Sequence, residues 1–249
     1  MLPKSVMETL RIFYHYHDIF ASIRFILNNK IKLPYYEKLK VIKQLYIISY
    51  RIDCFHTQED IITFMTCIFQ IPLARNGCIV EAGSYKGGSS AKFSLAAKIT
   101  SRELVIFDSF EGIPEHNEPH DKAIDGEPVR FDKGSYCGTL EEVKSNIAKY
   151  GCIEVCHFIK GWFEETMPYF IQPIVAIYLD VDLASSTRTC LKYLYPLLQS
   201  GGELYSQDGH LPLVLEVFND DSFWEKEIGC KKPMIQGFGQ KKLIKIIKN

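Results

Sequence analysis

The segment from Ile79 to Ser90 constrains the fold most, because an apolar run ends there in an acid and then breaks into glycines before a helical pattern begins. This order predicts a strand, a tight turn and a helix N-terminus. At such a junction in an α/β domain, backbone N–H groups and the helix dipole face a ligand, and glycine lets the backbone approach it closely. The spacing of Gly83, Gly87 and Gly88 matches neither a P-loop nor G-x-G-x-x-G, and Glu81 would repel a pyrophosphate. An acid here suits a ligand with a cationic amino-acid end.

Length and composition predict one globular domain with embellishments. The chain has 249 residues, of which 47% are hydrophobic, and a formal net charge of −1. It can bury a large core and has no electrostatic bias toward nucleic acid or membrane. Its eight cysteines lie mostly within apolar segments, as reduced and buried thiols do. We expect a cytoplasmic location and no nucleic-acid partner.

The N-terminal region, residues 1–76, is predicted to form helices that precede a sheet in residues 77–249. Residues 7–28 are rich in Ile, Phe and Tyr, but charged residues such as Asp18 and Arg24 make them too polar for a membrane span. The pattern of a signal peptide is also missing. We expect an amphipathic helix that packs on the domain or on a second subunit, and this apolar region would suit a homodimer interface.

From Cys78 onward, short apolar runs alternate with segments of helical period, which is the pattern of a parallel sheet with crossover helices. The predicted strands are 78–82, 104–108, 154–158, 175–181, 203–206 and 243–247. The predicted helices are 88–99, 139–150, 187–198 and 211–228. Between them, residues 111–132 form a long segment with three prolines, which we expect to be a lid and not a disordered loop.

Acids follow four of the predicted strands at their carboxyl ends, namely Glu81, Asp108, Asp180 and Asp208. Ligands of open α/β sheets bind in the crevice at those ends, so these acids form a candidate site. The position of Asp108 after the second strand suits hydrogen bonds from ribose hydroxyls, in NAD as well as in an adenosyl ligand.

Five motifs occur in order between about residue 57 and the C-terminus. They are Val80-Glu81-x-Gly83-x-x-x-Gly87-Gly88-Ser89, Phe107-Asp108-Ser109-Phe110-Glu111-Gly112, Lys160-Gly161-Trp162-Phe163, Leu179-Asp180-Val181-Asp182 and Ser206-Gln207-Asp208. Together they resemble the macrocin O-methyltransferase (TylF-type) family of S-adenosylmethionine-dependent sugar O-methyltransferases. The resemblance implies a class I methyltransferase fold, which is a Rossmann-like, mostly parallel sheet of seven strands with helices on both faces and an antiparallel last strand. Residues 77–249 would be the methyltransferase domain and residues 1–76 its helical extension.

The resemblance also implies S-adenosylmethionine as the cofactor. Carried over to this chain, the cofactor-binding residues are Glu81, Gly83 and Ser84 near the methionine part, Asp108 and Ser109 near the ribose, Gly161 and Trp162 beside adenine, and Asp180. The carboxylate of Glu81 can offset the positive charge of the ligand, and Trp162 is either an apolar wall for it or a core residue.

A metal ion is expected beside Asp180. This residue ends a strand predicted to be buried on both faces, where an unpartnered carboxylate would be costly, and Mg²⁺ is a hard cation that suits carboxylates. In the family, the metal is held by this aspartate and by an Asp-Asp pair after the fifth strand, which is Gln207-Asp208 here. Asp180, Gln207 and Asp208 are therefore the expected ligands, with one negative charge fewer. Asp182 either orients the site or caps the next helix.

We therefore expect magnesium-assisted methyl transfer to a hydroxyl of a sugar or glycosylated small molecule, with Asp180 or His210 as the catalytic base. Two alternatives stay open at this point. An NAD-dependent oxidoreductase would use a similar sheet, although the glycine spacing argues against it. A non-catalytic adenosyl-ligand-binding protein is favoured if Gln207 marks the decay of the metal site.

Overall fold

The computed structural model describes residues 16–249. The described part begins with three helices, α1 (Tyr16–Leu27), α2 (Tyr35–Arg51) and α3 (Gln58–Gln70). The strands are β1 (Cys78–Ala82), β2 (Leu104–Asp108), β3 (Cys156–Lys160), β4 (Ile174–Leu179), β5 (Leu198–Ser206), β6 (Ile235–Gln236) and β7 (Ile244–Ile247). The helices that accompany them are α4 (Gly88–Ile99), α5 (Leu140–Tyr150), α6 (Phe163–Thr166), α7 (Ala184–Leu194), α8 (Pro212–Asn219) and α9 (Asp221–Phe223).

The seven strands form one sheet in the order β3-β2-β1-β4-β5-β7-β6. β1 to β5 are parallel, whereas β7 runs antiparallel to β5 and β6 antiparallel to β7. This topology confirms the predicted α/β class and the antiparallel last strand. The direction of winding reverses between β1 and β4, and the crevice outside the carboxyl ends of these two strands is where such sheets bind ligands.

Both faces of the sheet are covered by other elements. Every side chain of β1 and of β4 is buried, which explains why their sequences are continuous apolar runs and not alternating ones. Glu81 differs from the other residues of β1 because it carries a carboxyl group, yet it is also fully buried. A carboxyl group in such a place must find hydrogen-bond donors inside the protein.

The N-terminal helices cover one face. The ring of Phe64 in α3 packs against Phe93 at 4.7 Å, Tyr178 at 5.0 Å and Tyr205 at 5.4 Å between centroids. Helices α2 and α3 therefore share one hydrophobic core with the sheet. Among residues 16–249, no helix is both long enough and apolar enough to cross a membrane.

The predicted N-terminal segment is thus described only in part, since its residues 1–15 lie outside the described residues. The boundary at residue 76 stays a prediction. The segment that leads into α3 ends at Thr57, whose hydroxyl accepts the N–H of Asp60 at 3.1 Å and caps the helix. Residues 53–56, just before this cap, lie at the carboxyl ends of the strands.

Several predicted elements have different limits in the structure. β5 begins at Leu198 where 203 was predicted, and α7 spans Ala184–Leu194 where 187–198 was predicted. β3 begins at Cys156, two residues later than predicted, because Ile153–Val155 form a 3₁₀ turn. The prediction of a single helix at 211–228 was wrong. It is interrupted at Asp220, whose carboxylate accepts the N–H of Phe223 and starts a new helix.

We predict that Gly83→Ala destabilises the fold far more than Gly126→Ala. Both glycines have left-handed φ angles, 85° and 88°, so an alanine costs about 1–2 kcal/mol at either position. A Cβ at Gly83 would lie 1.9 Å from the carbonyl oxygen of Asp180, whereas nothing lies within 4 Å of one at Gly126. Because β1 and β4 would have to separate, we expect Gly83→Ala to lose at least about 2 kcal/mol more in denaturant unfolding. Equal losses for the two variants would contradict this close approach.

Candidate active site

A cavity of about 410 Å³ opens at the carboxyl ends of the parallel strands. It brings together most of the residues that the sequence motifs singled out. Those that line it are Gly83, Ser84, Asp108, Ser109, Gly161, Trp162, Asp180, Asp208 and His210. Glu81 and Gln207, by contrast, are buried outside its lining.

The glycine turn after β1 is tied to the end of β2 through Asp108. One carboxylate oxygen of Asp108 accepts hydrogen bonds from the backbone N–H of Ser84 at 2.6 Å and from its hydroxyl at 2.8 Å. The other oxygen accepts the N–H of Phe110 at 2.7 Å. Burial raises the pKa of Asp108, and these hydrogen bonds oppose that shift. The carboxylate is therefore held in one orientation at the cavity wall.

Trp162 stands at the edge of the cavity and is not a core residue. Gly161, with a φ of 144°, ends β3 and turns the chain, and the carbonyl of Trp162 accepts the N–H and the hydroxyl of Thr166 in the first turn of α6. The indole is only half-buried and lines the cavity. The fully buried tryptophan of the chain is Trp224 instead. Trp162 is thus available to contact a ligand.

Glu81 supports the glycine turn from inside the sheet. Its carboxyl group accepts hydrogen bonds from the hydroxyls of Ser89 and Ser90 at the start of α4, and its second oxygen has no partner among the described residues. Burial raises the pKa of Glu81 to about 8, and the two serines offset this only in part. Because Ser89 lines the cavity and Glu81 does not, Glu81 acts on the site through the helix start.

Three carboxylates meet at the carboxyl ends of β4 and β5. Asp180, Asp182 and Asp208 each offer an oxygen, and these oxygens all lie within 4.8 Å of one another. One oxygen of Asp208 accepts the N–H groups of Val181 at 3.0 Å and Asp182 at 3.2 Å, whereas its other oxygen is buried without a partner among the described residues. Burial and the charge of Asp180 raise the pKa of Asp208 to about 7. Burial and the charges of Asp208 and Asp180 raise the pKa of Asp182 well above its usual range. Such a cluster needs a cation or protons.

Gln207, which was expected among the metal ligands, is not brought to this cluster. Its Oε1 accepts the hydroxyl of Tyr178 at 2.9 Å, and its Nε2 donates to a carboxylate oxygen of Asp60 in α3 at 3.1 Å. In the turn after β5, Gln207 therefore faces the helical layer, whereas Asp208 lines the cavity. Asp182 stands where the expected set had Gln207.

His56 is a site residue that the sequence did not reveal. Its Nε2 lies 2.9 Å from a carboxylate oxygen of Asp180, and its Nδ1 lies 3.1 Å from the sulfur of Cys54. Burial lowers the pKa of His56, but the facing charge of Asp180 outweighs this and raises it to about 10. His56 in turn holds the pKa of Asp180 below its usual range against the effect of burial. The pair is therefore charged on both sides.

His210 faces the same cavity and is half-buried. Its Nδ1 has no hydrogen-bond partner among the described residues, and burial together with the charge of Lys242 lowers its pKa. Its backbone carbonyl accepts the N–H of Ile124 at 2.9 Å. His210 is thus a neutral imidazole at neutral pH, with a buried Nδ1 that has no partner among the described residues.

The segment 111–132 lines one side of the cavity with residues 112–114 and 128–131. It is anchored at Glu118, whose carboxylate accepts the N–H groups of Ala184 and Ser185 at 2.8 Å each, at the start of α7. These are backbone donors that a helix N-terminus leaves unpaired. The segment is therefore joined by hydrogen bonds to the body of the protein.

We predict that His56→Ala lowers the free energy of unfolding by about 2 kcal/mol. Removal of one member of a buried ion pair leaves the other charge uncompensated, and the partial exposure of Asp180 reduces that cost. His157→Ala is the matched control, because the His157 side chain is 57% exposed and only meets Glu103 at 3.4 Å. Denaturant unfolding measures both. The interpretation of the pair fails if His56→Ala is as mild as the control.

Comparison with known proteins identifies relatives of this chain. Residues 63–232 match the profile of the family described as macrocin-O-methyltransferase (TylF). The chain is 34% identical over 139 residues to the 8-demethyl-8-(2,3-dimethoxy-alpha-L-rhamnosyl)-tetracenomycin-C 4'-O-methyltransferase of Streptomyces olivaceus. It is 31% identical over 138 residues to the demethyldecarbamoylnovobiocin O-methyltransferase of Streptomyces niveus. Each alignment covers 53% of this chain and 52% of the relative, so the chain spans about half the length of the curated relatives it matches.

A solved structure shares the fold. The O-methyltransferase NovP superposes with a TM-score of 0.68 at 19% sequence identity, over 85% of this chain and 98% of that protein. This likeness shows a class I methyltransferase fold, as the resemblance implied. The family match is the stronger evidence of kinship, because it extends over more than half of the chain and includes β1 to β5 with the acid cluster. The chain belongs to the macrocin-O-methyltransferase (TylF) family.

Proposed function

We propose that this chain is an S-adenosylmethionine-dependent O-methyltransferase that methylates a hydroxyl of a sugar or glycosylated small molecule. Family membership supports the reaction class, and the names of both curated relatives describe O-methyltransferases. The observation that supports it most directly is the shared cavity, in which the glycine turn and Asp108 stand beside the cluster of Asp180, Asp182 and Asp208. A donor site and an acceptor site at one sheet edge are what in-line group transfer requires.

The donor half of the cavity suits S-adenosylmethionine, which supplies a methyl group activated by its sulfonium. Asp108 would accept hydrogen bonds from ribose hydroxyls, and Trp162 would cover adenine at the end of β3. Gly83 and Ser84 would border the methionine part. Since Glu81 lies behind the turn, its share in cofactor binding would be to hold Ser89 and the start of α4.

The acceptor half suits a divalent cation. Asp180, Asp182 and Asp208 provide hard oxygen donors close together, and the unpartnered buried oxygen of Asp208 is an unmet polar group that a cation would satisfy. Mg²⁺ held there would stabilise the negative charge that develops on an acceptor hydroxyl. Asp182 completes the cluster without Gln207, so the presence of Gln207 does not by itself favour the non-catalytic alternative.

His210 is the better candidate for the general base. Its imidazole is neutral and lines the cavity, whereas the carboxylate of Asp180 already faces the cationic His56. A base must reach the proton directly or through one water, and His210 lines the same cavity as the acid cluster. Asp180 would orient the acceptor hydroxyl. The oxidoreductase alternative has no family support in this chain.

Calorimetry with S-adenosylmethionine tests the donor site. We expect Asp108→Ala to weaken binding by about tenfold or more, since it removes hydrogen bonds from a charged acceptor. Asp180→Ala is expected to keep cofactor binding largely intact but to abolish radiolabelled methyl transfer to a panel of glycosides. Absence of binding by the unmodified chain would refute the proposed function. Unchanged turnover in Asp180→Ala would refute the role of Asp180.

Titration of the chain with Mg²⁺ tests the metal site separately from turnover. We expect Asp182→Asn to lower the affinity by about tenfold, because one of three carboxylates loses its charge. Gln207→Asn is the comparison variant. It is expected to disturb the hydrogen bonds to Tyr178 and Asp60 and thus the stability, with the Mg²⁺ affinity unchanged. The opposite order of affinities would restore Gln207 as a ligand.

A further inference from the structure

Cys54 lies in the lining of the cavity beside two basic side chains. The Nδ1 atom of His56 lies 3.1 Å from its sulfur, and the Nζ atom of Lys92 donates to the same sulfur at 3.7 Å. Among the described residues that line the cavity, Cys54 is the one cysteine. Its sulfur therefore combines basic neighbours with access from the cavity, which is the environment of a reactive thiolate.

Lys92 is an unusual lysine, because its side chain in α4 is fully buried. Burial of an ammonium group is costly unless the group faces an anion. Burial lowers the pKa of Lys92, and Cys54 opposes that shift more strongly than Asp18 does. A thiolate at Cys54 is therefore the anion that compensates the Lys92 ammonium.

The charges around Cys54 balance when its sulfur is an anion. His56 faces Cys54 through Nδ1 and faces a carboxylate oxygen of Asp180 through Nε2 at 2.9 Å. An imidazolium has a donor on both nitrogens, so it can bridge a thiolate and a carboxylate. The cations Lys92 and His56 then face the anions Cys54 and Asp180. A neutral thiol would leave the buried ammonium of Lys92 without this compensation.

The start of α4 adds to the positive environment of the sulfur. A Cβ placed on Gly88, the first residue of α4, would lie 2.9 Å from the Cβ of Cys54 and 3.4 Å from its sulfur. The N-terminus of a helix carries a partial positive charge, which stabilises a thiolate. Burial raises the pKa of the Cys54 thiol, but His56 and Lys92 outweigh burial and lower it to about 7.

The other cysteines lack this environment. Burial raises the thiol pKa of most of them, namely Cys67, Cys78, Cys152, Cys156, Cys190 and Cys230. The remaining one, Cys137, is exposed, and its sulfur lies 3.6 Å from the carbonyl oxygen of Phe110. None of them belongs to the described lining of the cavity. Cys137 is thus a control for exposure without cationic neighbours.

We propose that Cys54 is a modification site at which a peroxide oxidises the thiolate to a sulfenic acid. The sulfur attacks one oxygen of hydrogen peroxide, so that an S–O bond forms and the O–O bond breaks. Hydroxide leaves with the electron pair of the O–O bond and takes a proton from solvent to give water. The sulfur is oxidised by two electrons and the peroxide is reduced by two. This reaction goes beyond the proposed function and does not require it.

Oxidation of Cys54 would also change the cavity. The sulfur adjoins Gly88, which ends the glycine turn and lines the cavity together with Gly83 and Ser84. The added oxygen takes up space beside the part of the cavity proposed for the methionine end of the cofactor, and it removes the anion that Lys92 and His56 face. We therefore expect the oxidised chain to bind the cofactor product more weakly. This consequence rests on the proposed function.

Peptide mass spectrometry of the full, folded chain at neutral pH tests the reactivity without any cofactor. One sample receives a limiting amount of iodoacetamide, and a second receives hydrogen peroxide with dimedone, which traps sulfenic acids. We expect Cys54 to be alkylated about fivefold or more faster than the exposed Cys137 and to carry the main dimedone adduct. Faster alkylation of Cys137, or a dimedone adduct mainly on another cysteine, would overturn the inference.

Lys92→Met tests the source of the reactivity. Methionine fills the buried position with an apolar side chain, and the thiol of Cys54 can take up a proton, so no uncompensated charge is left. We expect alkylation of Cys54 to slow by about fivefold, with no change in Lys43→Met, because Lys43 is exposed on α2. Denaturant unfolding checks both variants. An unchanged rate in folded Lys92→Met contradicts the thiolate, and if this variant does not fold, the comparison with Cys137 still decides.

Calorimetry with S-adenosylhomocysteine measures the consequence for the cavity. Peroxide treatment is expected to lower the affinity of the unmodified chain by about tenfold or more, whereas Cys54→Ser should bind equally well before and after the treatment. Equal affinity of the unmodified chain before and after oxidation of Cys54 would overturn the effect on the cavity. Failure of the untreated chain to bind S-adenosylhomocysteine is a different result, since it refutes the proposed function and leaves the labelling of Cys54 as measured.

Discussion

The site depends on the close approach of the chain just after β1, at Gly83, to the chain just after β4, at Asp180. The absence of a side chain at Gly83 lets the backbone of Asp180 come so near that a Cβ would overlap its carbonyl oxygen. This contact places the glycine turn, which faces the cofactor half of the cavity, directly beside the carboxylate that begins the acid cluster. The proposed donor and acceptor halves would be adjacent because two parallel strands end at the same sheet edge.

Charge is the second constraint on this edge. Three carboxylates within 4.8 Å repel one another, and the structure offers His56 and Lys242 as cations near them. His56 compensates Asp180, but the raised pKa of Asp208 and the unpartnered oxygen of that residue show that compensation is incomplete. The remaining demand for positive charge is the physical argument for a divalent ion. It also explains why a buried histidine from the N-terminal segment is part of the site.

Much of the proposed cofactor side was predictable from sequence, because its residues follow strands directly. Asp108 ends β2, and Gly161 and Trp162 follow β3, so finding the strands located these side chains. The metal side was harder. Gln207 and Asp208 are adjacent, and only the side-chain directions at the end of β5 separate the residue that binds Tyr178 and Asp60 from the one that joins the cluster. The order of Gln207 and Asp208 in the sequence does not show which of the two side chains points to the cluster.

The sequence by itself determined the α/β class, the glycine turn and the acids at the strand ends, since these depend on local periodicity and on the rule that parallel strands end at one edge. Only the tertiary structure decided which side chains meet there. His56 reaches Asp180 because α2 and α3 pack on the sheet, and Phe55 joins Tyr85 and Tyr136 for the same reason. These contacts link segments far apart in the chain, and burial of distant apolar faces, not local pattern, brings them together.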